Sequence, residues 1–259
     1  MPAPLTRSTD PLDYQNLPQP VALMCKAFPA GFRIAPHVHA RDQLLYAVGG
    51  TMRIRTATHS WMVPPDRALY MPAGIEHSVA IYGPVEMRTL YIARNAGADL
   101  PHAPVAFVAS PLLRALVLAL LDEPVAYDGA SRAERISVLI LDEIARAKPL
   151  ALAIPMPIDR RLLKLCEALI QAPESTLTLD RWAVTAGASR RTLARLFQTE
   201  CGMTFTAWRQ QVRFYSAIDA LARGTPVATV ARSHGYRSAS AFAAAFREVV
   251  GVSPREIPG

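Results

Sequence analysis

"DRWAVTAGASRRTLARLF" (Asp180–Phe197) and "ATVARSHGYRSASAFAAAF" (Ala228–Phe246) share one layout. Each has an alanine, three residues, a glycine, a short polar turn, and then a second run with apolar residues at helical spacing. The pairs are Ala183 with Gly187 and Ala231 with Gly235. A small residue lets two short helices cross closely, and glycine takes a positive φ in the tight turn between them. The pattern therefore predicts two helix-turn-helix units. Between them, "FTAWRQQVRFYSAIDALARG" (Phe205–Gly224) places Phe205, Trp208, Val212, Tyr215, Ile218 and Leu221 at three- and four-residue steps. This is the stripe of one long amphipathic helix, stopped by Gly224 and Pro226.

The charge distribution assigns these helices a partner. The chain has 259 residues, 28 Lys+Arg and 21 Asp+Glu, a net charge of +7. Residues 160–259 hold fourteen basic residues against seven acidic ones, whereas residues 1–159 hold fourteen of each. Thirteen of the fourteen basic residues in the C-terminal part are arginine, whose planar fork suits phosphate and guanine. Double-stranded DNA is the expected partner.

The stretch from Leu177 to about Arg255, with "GYRSASAF" and "GVSP" near its end, resembles the DNA-binding domain of AraC/XylS-type transcriptional regulators. The resemblance implies two helix-turn-helix units reading successive major-groove segments about 34 Å apart. In the first unit Ser189 is a suitable N-cap for the recognition helix, followed by Arg190, Arg191 and Arg195. Arg191 and Arg195 are four apart and share a face from which both can reach base edges, with Arg190 nearer the backbone. The second recognition helix offers Arg237, Ser238 and Ser240 at its start and mostly alanine afterwards, which suits phosphate, thymine-methyl or shape contacts. Phe242 and Phe246 are spaced as core.

The N-terminal part reads differently. From Val21 to about Ala93, short apolar or alternating segments are broken by turn residues, as in a small β-barrel or sandwich. Within it, "PHVHARDQLLYAVGG" (Pro36–Gly50) puts His37 and His39 two apart, so on an unbroken strand both face one side, with Gln43 able to join them. The spacing of Gly31, His37, His39, Gln43 and Gly50, followed by Pro72, Gly74 and His77, resembles the two motifs of the cupin superfamily. This likeness covers about Phe28 to Ile92. It implies a barrel in which His37, His39 and His77, with Gln43 in the place of the usual glutamate, surround a divalent metal. Asp66 and Ile81 also depart from the motif, standing where glycine and asparagine are common. A neutral amide is a weaker ligand than a carboxylate, so zinc, nickel or iron is the expected ion. The alternative is a barrel whose imidazoles hydrogen-bond an organic ligand or one another. His59, His102 and His234 stand alone and read as surface or packing residues.

After "PHAPVAFVAS" the period becomes helical. Leu112, Leu113, Leu116, Val117 and Leu120 form one stripe, and Ile136, Leu139, Ile140 and Ile144 another. Prolines at 149, 155 and 157 then forbid a continuous helix. The expected organisation is an α+β two-domain chain. Residues 1–104 form a cupin-like sensor barrel. Residues 105–157 form a helical segment and linker that supplies part of a homodimer contact, and residues 158–259 form an AraC-type DNA-binding domain.

Cys25, Cys166 and Cys201 are few and far apart in sequence, without a CxxC pair, which suits a reducing compartment. The proline-rich start does not fit a signal peptide, and the apolar run Leu112–Leu121 is too short for a bilayer. A cytoplasmic protein with no membrane role is expected. The leading reading is a transcriptional regulator whose barrel senses a small molecule or metal, with RNA polymerase as a partner if it activates. The alternatives are a cupin metalloenzyme, dioxygenase or isomerase, fused to a DNA-binding domain, and a DNA-binding scaffold with an empty barrel. No paired acid and base accompanies the histidines, so no catalytic residues are assigned.

Overall fold

The computed structural model describes residues 7–65, 67–97, 99–150, 153–250 and 253–257. The first six residues of the proline-rich start, and Asp66, lie outside them. The chain forms two compact units: residues up to Ile54 with Val63–Leu150, and Arg55–Met62 with the residues from 151 onward. No helix among the described residues is long and apolar enough to cross a membrane.

The strands, in chain order, are β1 (Val21–Phe28), β2 (Arg33–His37), β3 (Asp42–Ala47), β4 (Thr51–Arg55), β5 (His59–Val63), β6 (Arg67–Met71), β7 (His77–Tyr82), β8 (Val85–Ile92), β9 (Val105–Val108) and β10 (Ala153–Pro155). They make two five-stranded sheets of order β1-β8-β3-β6-β9 and β10-β5-β4-β7-β2. Two segments read as connection or helix therefore carry strands. β9 closes an edge of the first sheet, with Ala68 opposite Phe107, and β10 pairs antiparallel with β5, with Ala153 opposite Trp61. Each is three or four residues long, too short for a period to register.

In the first sheet, side chains alternate between faces. One face, with Leu23, Leu44, Tyr70, Leu90 and Phe107, joins a core completed by α1 (Pro111–Ala119) and α2 (Arg132–Ala145). Ser110 caps α1 by accepting the Leu113 N–H at 2.9 Å, and Ser131 caps α2 by accepting that of Glu134 at 3.1 Å. The buried stripes are Leu113, Leu116, Val117 and Leu120, and Ile136, Ile140 and Ile144. Leu112 and Leu139, counted in those stripes from the sequence, are 50% and 47% exposed because they sit at the stripe margins. Register places Gln43, Tyr91 and Met71 side by side on the opposite face of this sheet.

Apart from the β5–β10 pair, the second unit is helical: α3 (Arg160–Gln171), α4 (Leu179–Ala186), α5 (Arg190–Cys201), α6 (Phe205–Ala222), α7 (Val227–Ser233) and α8 (Ala239–Val250). The two predicted turns have the same build. Gly187 and Gly235 take φ of 62° and 80°, and the residue after each donates back to the alanine, Ala188 to Ala183 at 3.0 Å and Tyr236 to Ala231 at 2.9 Å. Ala183 and Ala231 are buried, as close crossing requires. Cys166 and Cys201, distant in sequence, lie side by side with their thiols hydrogen-bonded, and all three cysteines are free. His234 packs locally, its Nδ1 2.8 Å from the Val230 carbonyl.

All six residues of the α6 stripe are buried, and so is Phe214, which that stripe omits. The helix has to satisfy two cores. Trp208 meets Phe197 of α5 at 5.9 Å between ring centroids, while Phe214 meets Phe242 and Phe246 of α8 at 5.8 and 5.6 Å. Trp208 also donates its indole N–H to the Pro155 carbonyl at 2.7 Å. Phe214→Ala should therefore cost about 3–5 kcal/mol, the usual range for emptying a packed aromatic site. Urea denaturation of the variant checks this, and a loss under about 1 kcal/mol would mean that α8 is not held by this ring.

Candidate functional sites

The three histidines meet, but not by lying along one strand. β2 ends at His37, which pairs across the sheet with His77, the first residue of β7. The chain then leaves that sheet, and β3 begins at Asp42 in the other. The condition for Gln43 to join His37 and His39 along one face, an unbroken strand from His37 to Gln43, is thus not met, and a crossover carries His39. Its cause is local: the register already shifts between Ile34 and His37, and Pro36 has no N–H to extend a ladder.

Hydrogen bonds fix the crossover at several points. The His39 carbonyl accepts the Gly74 N–H at 2.9 Å, tying it to the turn that precedes His77. The Ala40 N–H donates to Gln15 Oε1 at 3.0 Å. The buried Arg41 guanidinium donates to the carbonyls of Tyr14, Leu17, Gln19 and Pro20, which anchors the residues before β1 beside it.

The ring centroids of His37, His39 and His77 stand 4.4–5.5 Å apart, and one nitrogen from each lies within 4.8 Å of the others. His37 Nδ1 is 2.8 Å from the Ala35 carbonyl and His77 Nδ1 is 3.0 Å from that of Ile75. Such carbonyls hold the proton on Nδ1 and leave Nε2 as a lone-pair donor, the arrangement used behind metal-bound imidazoles. Nε2 of His39 and of His77 is buried with no hydrogen-bond partner among the described residues. Gln43 Oε1 is in the same condition. The Gln43 side chain bonds the Tyr91 hydroxyl, and the Tyr91 ring meets His39 edge-on at 5.1 Å. Buried polar atoms without partners are costly, and a divalent cation between the three imidazoles would satisfy the His39 and His77 nitrogens, so the histidines fit such an ion.

Burial, and then the neighbouring imidazoles His37 and His77, pull the pKa of His39 down to about 4. For His77, burial again dominates and the result is about 4, with the Ile75 carbonyl opposing it and His37 adding to it. Both imidazoles are therefore neutral through the mildly acidic range. With folded values below the unfolded value of about 6.5, the unfolded chain binds the proton first, so this part of the stability is complete above about pH 6.5 and is lost as pH falls toward 4. In the presence of chelator, the urea midpoint should fall between about pH 7 and about pH 5, and the fall should be shallower in the double variant His39→Gln, His77→Gln. Equal slopes would contradict this assignment.

The helical half presents a second site. Ser189 accepts the Thr192 N–H at 3.0 Å and starts α5 at Arg190. Arg190, Arg191 and Arg195 are exposed, while Leu193, Leu196 and Phe197 are buried. Arg190 also approaches Asp180 of α4 at 3.8 Å. Gln198, exposed and one turn beyond Arg195, extends the arginine face and was not picked out from the sequence. On α8, Ser238 accepts the Ala241 N–H at 3.1 Å, and Ser240 lies 3.1 Å from it. Arg237 is exposed just before, and Phe242 and Phe246 are core. Arg247, seven residues after Ser240, adds a cation to the exposed side of this alanine-rich helix, and that spacing could have revealed it.

Comparison with known proteins bears on both halves. Residues 27–127 match the AraC-like ligand binding domain, and residues 182–257 match a helix-turn-helix domain. The HTH-type transcriptional regulator NimR of Escherichia coli is 30% identical over 218 residues, covering 84% of this chain and 80% of its own. The HTH-type transcriptional regulator RipA of Corynebacterium glutamicum is 31% identical over 39% of this chain and 30% of its own, and MtrA of Neisseria gonorrhoeae is 33% identical over 37% and 32%. With two motif-bearing halves in this order and a relative matched along most of both chains, the protein belongs to the AraC-type helix-turn-helix transcriptional regulators and joins a ligand-binding domain to a DNA-binding one.

Proposed function

We propose that this regulator senses a divalent metal, zinc, nickel or iron, through His37, His39 and His77, with Gln43 as an auxiliary neutral oxygen ligand. The observation that supports it most is the pair of buried imidazole nitrogens left without partners among the described residues beside a third histidine. An organic effector that accepts or donates hydrogen bonds at the same nitrogens is the second reading, favoured by the adjoining Tyr91. Protein purified without chelator or affinity tag should carry about one metal per chain by elemental analysis. His39→Ala should abolish it, and Gln43→Glu should tighten it by adding an anionic ligand. No stoichiometric metal, together with no gain in Gln43→Glu, would favour the organic effector.

On the DNA side, Arg191 and Arg195 carry the base discrimination. Ser189, Arg190, Arg237, Ser238 and Ser240 contact the backbone or read its shape. Replacing Arg191 or Arg195 with alanine should cost about 1–3 kcal/mol and relax preference at one base position. An equal loss on all sequences would make them phosphate contacts.

The regulator acts in the cytoplasm as a homodimer, recruiting RNA polymerase where it activates. Leu112, Leu118, Val138 and Leu139, all exposed on α1 and α2, supply an apolar contact of the kind two chains on repeated half-sites require. Mass measurement at micromolar concentration should give a dimer, and Leu118→Glu with Leu139→Glu a monomer. A monomeric wild-type mass, with and without DNA, would remove the dimer.

A further inference from the structure

A groove of about 490 Å³ opens beside the first recognition helix, between α5 and the N-terminal ends of α4 and α6. One wall is the stripe Arg190, Ala194 and Gln198 of α5, spaced four residues apart and all exposed. It adjoins Arg191 and Arg195, to which base reading is assigned above. The other walls carry the exposed hydroxyls of Thr176, Thr178 and Thr206, and Arg209 from the second turn of α6.

Two arginines of α6 hold the segment that precedes α4, and they hold it differently. Arg213 spends both Nε and Nη2 on it, donating to the Pro173 carbonyl at 3.1 Å and the Ser175 carbonyl at 3.0 Å. It is a brace. Arg209 donates through Nη1 alone, to the Leu177 carbonyl at 3.2 Å, and its guanidinium lies over the Phe205 ring, 4.9 Å from the centroid. The stack fixes the plane of the group while its other N–H donors have no acceptor among the described residues. It is half-buried and has no carboxylate partner among those residues. Burial, and then Arg213 one turn along the helix, pull its pKa below the ordinary guanidinium value. An arginine stays protonated nonetheless, so this is a held charge without local compensation. The one acid lining the groove, Asp180, is met by Arg190 at 3.8 Å.

A planar cation held in place with donors to spare, among hydroxyls in an open groove, suits an anion that brings several acceptor oxygens. Duplex DNA presents such an anion at this spot, because its backbone borders the major groove that a recognition helix enters. We propose that the sugar–phosphate backbone crosses this groove and that Arg209 binds one of its phosphates, which sets the position of α5 in the major groove. The proposal rests on the reading of α5 as the base-reading helix. Arg209 then supplies affinity and register without sequence information, while Arg191 and Arg195 supply the discrimination.

The test is binding of the full-length protein to its mapped operator across a salt series. Arg209→Gln should weaken binding about tenfold at unchanged base preference, and should make the slope of log Kd against log salt shallower by about 1, the signature of one lost phosphate contact. Arg209→Lys keeps the charge and should keep the wild-type slope. In a set of operator duplexes that each carry one neutral methylphosphonate, one linkage should weaken wild type and leave Arg209→Gln unaffected. An unchanged slope in the Gln variant, an equal loss of slope in the Lys variant, or the same methylphosphonate profile in wild type and Gln variant would overturn the proposal. Arg195→Ala, measured alongside, tests the reading of α5 separately, because its effect is expected on base preference and not at that linkage.

Discussion

The pairing of His37 with His77 across β2 and β7 is the constraint on which the histidine cluster depends. It puts two imidazoles side by side on neighbouring strands, and the Gly74 N–H on the His39 carbonyl brings the third to them. The carbonyls of Ala35 and Ile75 then orient two of the rings, so that lone pairs point away from the backbone. Burial keeps His39 and His77 neutral, which is the form that binds a cation. Stability and ligation are opposed here. The fold tolerates buried nitrogens that have no partner among the described residues where an apolar packing would be more stable, the usual mark of a site kept for binding.

In the DNA-binding half the corresponding constraint is α6, which has to be apolar on two sides at once. Trp208 and Phe214 lie six residues apart and serve different cores, the first with Phe197 and the second with Phe242 and Phe246. A rigid spacer makes the separation of two recognition helices a fixed length, and a fixed length is what successive major-groove segments require. The recognition helices themselves are unequal. α5 projects three arginines and Gln198, whereas α8 begins with serines and continues with alanine until Arg247. Long donors reach base edges, while small residues allow close approach to the groove, which is the basis of the division between direct and shape readout proposed for the two helices.

Much of this was legible in the residues. The alanine–glycine repeats gave both turns because a positive φ and a close crossing leave few other choices at Gly187 and Gly235. Ser189 was readable as a cap for the same kind of reason. The histidine cluster was legible as a set, but its geometry was not, since a two-residue period cannot distinguish a continuous strand from one that crosses between sheets at residues 38–41. β9 and β10 were too short to show a pattern. Phe214 was missed because a single-stripe template has no place for a helix buried on two sides, and Leu112 and Leu139 were over-assigned because stripe margins look like stripe centres in a sequence. Gln198 and Arg247 sit on faces that only the placement of the buried residues defines.

The central claim is that the state of the histidine cluster sets the behaviour of the DNA-binding half. The most direct measurement is the affinity for a mapped operator at fixed salt, taken with added zinc, nickel or iron(II) and again with chelator, on wild type and on His39→Ala. The account predicts that one of these metals changes wild-type affinity or the footprint on DNA and that the variant is insensitive to both additions. An operator affinity unchanged by metal and chelator in wild type, or an equal response in His39→Ala, would contradict it.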